Sequence, residues 1–72
     1  MFKEEARKEF INIHNELEKA TASLVKVKLS LKALEKLGYN HDYEGVIYEI
    51  NKNITSLNDI KDYNKMKFKQ QF

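Results

Sequence analysis

The chain has 72 residues, no cysteine, no proline and a net charge of +2. That length supports one domain with a marginal core of its own, and the missing cysteine excludes a disulfide framework and a thiolate metal site. His14 and His41 lack metal-ligand spacing, so no metal or cofactor is expected and oligomerisation is the expected source of further stability.

The first element opens with MFKEEARKEF, which is charged from its third residue and has no apolar h-region. A signal peptide is therefore not expected. No run approaches the roughly 18 apolar residues of a membrane span, so the expectation is a soluble, intracellular protein. From residue 6 the apolar residues recur with a sustained period. Ala6, Phe10, Ile13, Leu17, Ala20, Leu24, Val27, Leu31 and Leu34 are spaced 4, 3, 4, 3 and so on. That is the spacing of a coiled-coil seam. A second row of Ile11, Val25, Leu29, Ala33 and Leu37 widens the apolar face, which suits a helix with more than one neighbour. Glu4 and Glu5 suit the positive end of the helix dipole, and Lys32 and Lys36 the negative end. The pattern predicts a helix over residues 3–37, roughly 50 Å long, with Gly38 just past its end.

GYNHDYEG, residues 38–45, is the predicted turn. Asn40 or Asp42 is the expected cap of the next helix, with acids in its first turn. Tyr43, Ile47, Ile50, Ile54 and Leu57 then follow at spacings 4, 3, 4, 3. A connection this short implies antiparallel neighbours, hence a helical hairpin. The fold class is all-α.

The stripe then changes. The next seam positions are Lys61 and Asn64, and upstream Ser56 with Asp59 resembles a capping box. Helix 2 is expected either to kink near residues 55–58 or to run on with its apolar face altered, so that residues 60–72 leave the core stripe. This divides the chain into a hairpin and dimerisation domain, 1–59, and a basic partner-binding segment, 60–72. Residues 61–72 hold four lysines against Asp62, a net +3, while the other 60 residues are nearly neutral. As a helix, this segment would put Lys61, Lys65 and Lys69 in one row and Asn64, Phe68 and Phe72 in the next. Phe68 and Phe72 would form an apolar knob suited to a partner's groove. The plainer alternative is a polar tail whose phenylalanines are incidental or fold back on the hairpin.

Catalysis is not expected, because no glycine-rich phosphate loop and no nucleophile with a positioned base is present. His14 reads as a polar residue flanking the seam, and His41 as a turn residue. The acids Asp42, Glu44 and Glu49 belong to a helix start, where the dipole favours them. Nucleic acid is a rival partner, since lysines interleaved with aromatics suit phosphate contact and stacking. Against it, the single arginine, Arg7, lies outside the basic segment.

A short, cysteine-free, Lys/Asn/Ile-rich helical chain ending in NKMKFKQQF resembles the capsid morphogenesis B proteins of staphylococcal pathogenicity islands. The resemblance covers the whole chain. These mobile genetic elements redirect a helper phage's capsid to a smaller size. What it implies is an α-helical homodimer acting as an internal scaffold, in the bacterial cytoplasm and transiently inside assembling procapsids. Its C-terminal segment would bind the major capsid protein of the helper phage. On this chain the capsid-binding residues would be Lys61, Asn64, Lys65, Lys67, Phe68, Lys69 and Phe72. The dimer would pack through the stripe of helix 1, at Phe10, Ile13, Leu17, Leu24, Val27 and Leu31. The other classes that fit are a basic-tailed nucleic-acid-binding accessory protein and a mobile-element inhibitor of a host protein.

Overall fold

In the computed structural model, which describes residues 2–39 and 43–71, two antiparallel helices lie side by side. Helix α1 is Phe2–Lys36 and α2 is Glu44–Gln71. Together they form a rod with extents of 57 × 15 × 11 Å. The all-α hairpin expected from the stripes is the observed fold.

The ends of α1 follow from local chemistry. Glu4 and Glu5 stand in its first turn and Lys36 in its last, each matched to the partial charge of that helix end. Its C-terminus closes as a Schellman motif. The Tyr39 N–H donates to the Leu34 carbonyl and the Gly38 N–H to the Glu35 carbonyl, both at 3.1 Å. Gly38 takes φ +89°, the left-handed region that a side chain disfavours. At the start of α2 the Tyr43 carbonyl accepts the first helical bond, from the Ile47 N–H at 2.8 Å. Glu44 supplies the acid of the first turn. The expected caps Asn40 and Asp42, and His41, lie outside the described residues.

Among the described residues, three polar contacts between the helices mark the register. Lys28 Nζ donates to Asn51 Oδ1 at 2.9 Å, Lys61 Nζ to Glu18 Oε1 at 2.9 Å, and Asn64 Nδ2 to the Phe10 carbonyl at 3.1 Å. The row of α1 turned toward α2 is Phe10, His14, Leu17, Thr21, Leu24, Lys28 and Leu31, all half-buried. The facing row of α2 begins with Tyr43, Ile47, Ile50, Ile54 and Leu57. Of the two expected courses for α2 the structure shows the second, a helix that runs on, and it corrects the expectation that residues 60–72 leave the core stripe. The helix runs unbroken through TSLND, and its packed row continues at the same spacing through Lys61, Asn64 and Phe68. A lysine can occupy a seam because its alkyl stem lies along apolar surface while its ammonium reaches the edge.

The packing is thin. Among the described residues only Ile50, at 7 % exposure, is a buried apolar residue, and only Asn64 is a buried polar one. Two helices in contact cover one face of each, and both helices keep large apolar residues in solvent. The helix 1 stripe accordingly splits. Phe10, Leu17, Leu24 and Leu31 face α2 within the same chain, whereas Ile13 and Val27 stay 43 % and 48 % exposed.

Candidate functional site

The most distinctive surface lies at the open end of the hairpin, opposite the turn, where the last turns of α2 meet α1 near Phe10. The seam residues there are polar at two consecutive positions. Lys61 bridges to Glu18 Oε1, and His14 Nε2 stands 3.5 Å from the same oxygen. The hydrogen bond from Lys61 and its charge hold the Glu18 carboxyl below the ordinary glutamate range; slight burial opposes this, and the charges of His14 and Lys65 add to it. One turn on, the buried Asn64 amide is satisfied by the Phe10 carbonyl. One turn further, the Phe68 ring meets the Phe10 ring edge to face, with centroids 5.8 Å apart and planes at 76°. Such an aromatic pair is worth about 0.5–1.5 kcal/mol beyond the area it buries.

These residues floor an open groove of about 440 Å³. Phe10, Ile11 and His14 of α1 form one side; Asn64 and Phe68 of α2 form the other; Lys65 and Lys69 stand with them at the lining. Lys65 and Lys69 are both exposed, and neither has an ion pair within 4 Å among the described residues. The lining is largely apolar, so the groove combines a greasy floor with two adjacent ammonium groups one helical turn apart.

The expected capsid-binding residues thus divide by direction. Lys61, Asn64 and Phe68 are turned into the hairpin seam. Lys65 and Lys69 face solvent. Lys67 lies over the Tyr63 ring, 5.4 Å from its centroid. Phe72 lies outside the described residues, so the Phe68–Phe72 knob is represented by Phe68 alone, packed on Phe10. The α1 residues Phe10, Ile11 and His14 were not expected here. Their signal was the hairpin register: antiparallel helices ending at Lys36 and starting at Glu44 bring residue 10 level with residue 68, and both are phenylalanine.

A second surface runs along one flank of the rod. Helical geometry places Ile13, Ala20, Val27 and Leu34 beside the seam of α1 on the same side as Val46 and Ile60 of α2. All the large residues of this set are exposed. In the antiparallel register Leu34 comes level with Val46 and Ala20 with Ile60, while Val27 comes level with Asn53 and Ile13 with Lys67, so the flank is apolar at spaced positions with polar residues among them. The groove opens on the other side of the seam, where Ile11 and Lys65 sit.

Among the described residues no three His, Cys, Asp or Glu side chains come together as metal ligands, and no helix is long and apolar enough to cross a membrane. Comparison of the chain with protein-family models, with curated proteins and with solved structures gives no match in any of the three.

Proposed function

We propose that this chain is a non-catalytic assembly scaffold: a helical hairpin that pairs with a second copy and binds a shell-forming phage capsid protein through the basic end of α2. The choice of a capsid protein comes from the resemblance of the sequence to the capsid morphogenesis B proteins. The observation that carries a binding role is the open end of the hairpin, where Lys65 and Lys69, without an ion pair among the described residues, line an apolar groove. Apolar contact supplies affinity and charge supplies orientation, the usual division in protein recognition. The flank of Ile13, Val27, Leu34, Val46 and Ile60 supports the pairing, because five exposed large apolar residues gathered on one side of the rod mark an interface. A paired rod holding two capsid subunits at one fixed angle would set shell curvature, and many weak contacts would act together on one shell.

Nucleic acid is the second reading. Two exposed tyrosines of α2, Tyr48 and Tyr63, each carry a lysine over the ring, at 5.9 Å for Lys52 and 5.4 Å for Lys67. Each lysine covers one face of its ring, which leaves a base only the other face to stack on. The test is a pull-down of a phage major capsid protein by the full chain, with DNA as competitor, at two salt concentrations. Capsid protein should be retained in the presence of DNA and should fall off only modestly with salt. Retention of DNA alone, with the steep salt loss of counterion release, would overturn the proposal.

A further inference from the structure

We infer that the open end of the hairpin is a receptor rather than a hook: the groove beside the Phe10–Phe68 pair receives an apolar side chain from an acidic, amphipathic helical segment of the partner, whose carboxylates bind Lys65 and Lys69. This rests on the proposed partner-binding role of the basic end and specifies its chemistry.

Three observations lead there. First, Phe68 is not presented outward. Its ring is half-buried and held edge to face by Phe10, so inserting it into a partner's pocket would require breaking that pair. Second, the space beside the pair is open and lined mainly by apolar atoms of Phe10, Ile11 and Phe68. A volume of about 440 Å³ has room for a leucine or phenylalanine side chain and the start of its backbone. Third, the charge at the lip has one sign, and part of it is outside any ion pair among the described residues. Lys61 is spent on Glu18 and Lys67 lies over Tyr63, but Lys65 and Lys69 make no ion pair among the described residues. They are four residues apart on one helix, so their Cβ atoms stand about 6 Å apart. A helical ligand with two acids one turn apart matches that spacing and leaves an apolar residue between them to enter the groove. The ligand helix is fixed by both features together, since lysines alone would accept any anion.

The flank that supports pairing with a second copy lies across the seam from the groove, so a paired molecule leaves the groove accessible.

The test uses the full chain and a fluorescently labelled synthetic helical peptide carrying one leucine flanked by glutamates one turn apart, read by anisotropy. Ile11 is the informative residue, because it is 48 % exposed and contributes to the groove rather than to the helix seam. Ile11→Lys should keep the circular dichroism spectrum and melting temperature of the parent. It should weaken the peptide by at least about tenfold, the cost of losing one buried apolar contact. The double change Lys65→Glu with Lys69→Glu should abolish binding of the glutamate peptide and confer binding of its lysine counterpart. Lys67→Glu, an equal charge change away from the groove, should alter binding by less than about threefold. Unchanged peptide affinity in Ile11→Lys would overturn the receptor. If that variant still retained capsid protein while the Lys65/Lys69 double change did not, the scaffold proposal would stand without the groove. Loss of self-association in Ile11→Lys, seen by sedimentation, would mean that a second copy occupies the groove, and would equally overturn the inference. Equal losses from Lys67→Glu and from the Lys65/Lys69 change would reduce the site to diffuse charge.

Discussion

Asn64 occupies a seam position where a leucine would bury more apolar surface, and its amide is spent on the Phe10 carbonyl. That carbonyl already accepts the helical bond from four residues on, so removing the amide orphans nothing on α1. Two magnitudes then compete. A neutral hydrogen bond contributes about 0.5–1.5 kcal/mol net, whereas burying a leucine side chain contributes about 1.5–3 kcal/mol. Asn64→Leu should therefore raise the melting temperature by several degrees, at about 4–8 °C per kcal/mol for a chain of this size. Thermal melts by circular dichroism decide it, and a lower melting temperature would show that the amide outweighs the leucine. What Asn64 supplies instead is register, as a lone polar seam residue does in coiled coils. Glu18 has the opposite relation to its neighbours, since it is exposed and its carboxyl is held low by Lys61. A carboxyl with a folded-state pKa below its unfolded value stabilises fully above that unfolded value, about 4.3. The contribution disappears as pH falls through the folded value. Lys61→Met should return the Glu18 carboxyl toward the ordinary range in an NMR titration and should flatten the acid side of the stability profile. A Glu18 titration unchanged by Lys61→Met would mean that the pair does not persist in solution. Both side chains were visible in the sequence only as polar residues in an apolar stripe. Their partners, Phe10 and Glu18, lie more than 40 residues away, and no local pattern links them.

Helix α1 was legible because it ends for a local reason. Gly38 ends α1 through its backbone, and the expected boundary at residue 37 differs from the observed Lys36 by one residue. The two glycines make opposite predictions. At Gly38 a Cβ would meet nothing within 4 Å, so the whole cost of alanine lies in φ +89°, about 1–2 kcal/mol for a residue in the left-handed region. Gly45 stands in the first turn of α2, also with open space around a Cβ and without a positive φ. Alanine there should stabilise by up to about 1 kcal/mol, because glycine is the poorer helix former. Melting of Gly38→Ala below the parent and Gly45→Ala above it is the expected pair of results; a stabilising Gly38→Ala would contradict the Schellman closure. The extent of α2 was less legible than its start. Polarity at Lys61 and Asn64 suggested that the stripe had ended, yet Leu57, Lys61, Asn64 and Phe68 keep the 4, 3, 4 spacing. The period was the better guide than the hydropathy of single positions, because a lysine stem and a hydrogen-bonded amide both fit a two-helix seam.

At the scale of the molecule, a rod with Ile50 as its one buried apolar residue among those described has little to set against the conformational entropy of ordering two helices. The heptad stripe of α1 could not reveal how its faces are shared, since both of its apolar rows have the right period. The antiparallel partner decides it: Phe10, Leu17, Leu24 and Leu31 go to α2, and Ile13, Val27 and Leu34 remain on the flank with Val46 and Ile60. Substitutions in the two rows should then behave differently. Leu24→Asp places a charge in the seam of the hairpin itself and should prevent folding at any concentration. Val27→Asp places it on the exposed flank, where an isolated hairpin would tolerate it and a pair would not. If pairing covers that flank, folding is linked to association, and the melting temperature of the parent should rise with protein concentration. Val27→Asp should remove that dependence, lower the helix content at micromolar concentration and sediment as a monomer. A parent chain that melts at the same temperature across a hundredfold range of concentration, and sediments as a folded monomer, would show that the hairpin stands alone. In that case the apolar flank would have to be assigned to the partner that the open end engages. If the dependence is found, the two grooves face away from the shared flank, and one pair can engage two partner molecules at once, as a scaffold that fixes the angle between neighbours requires.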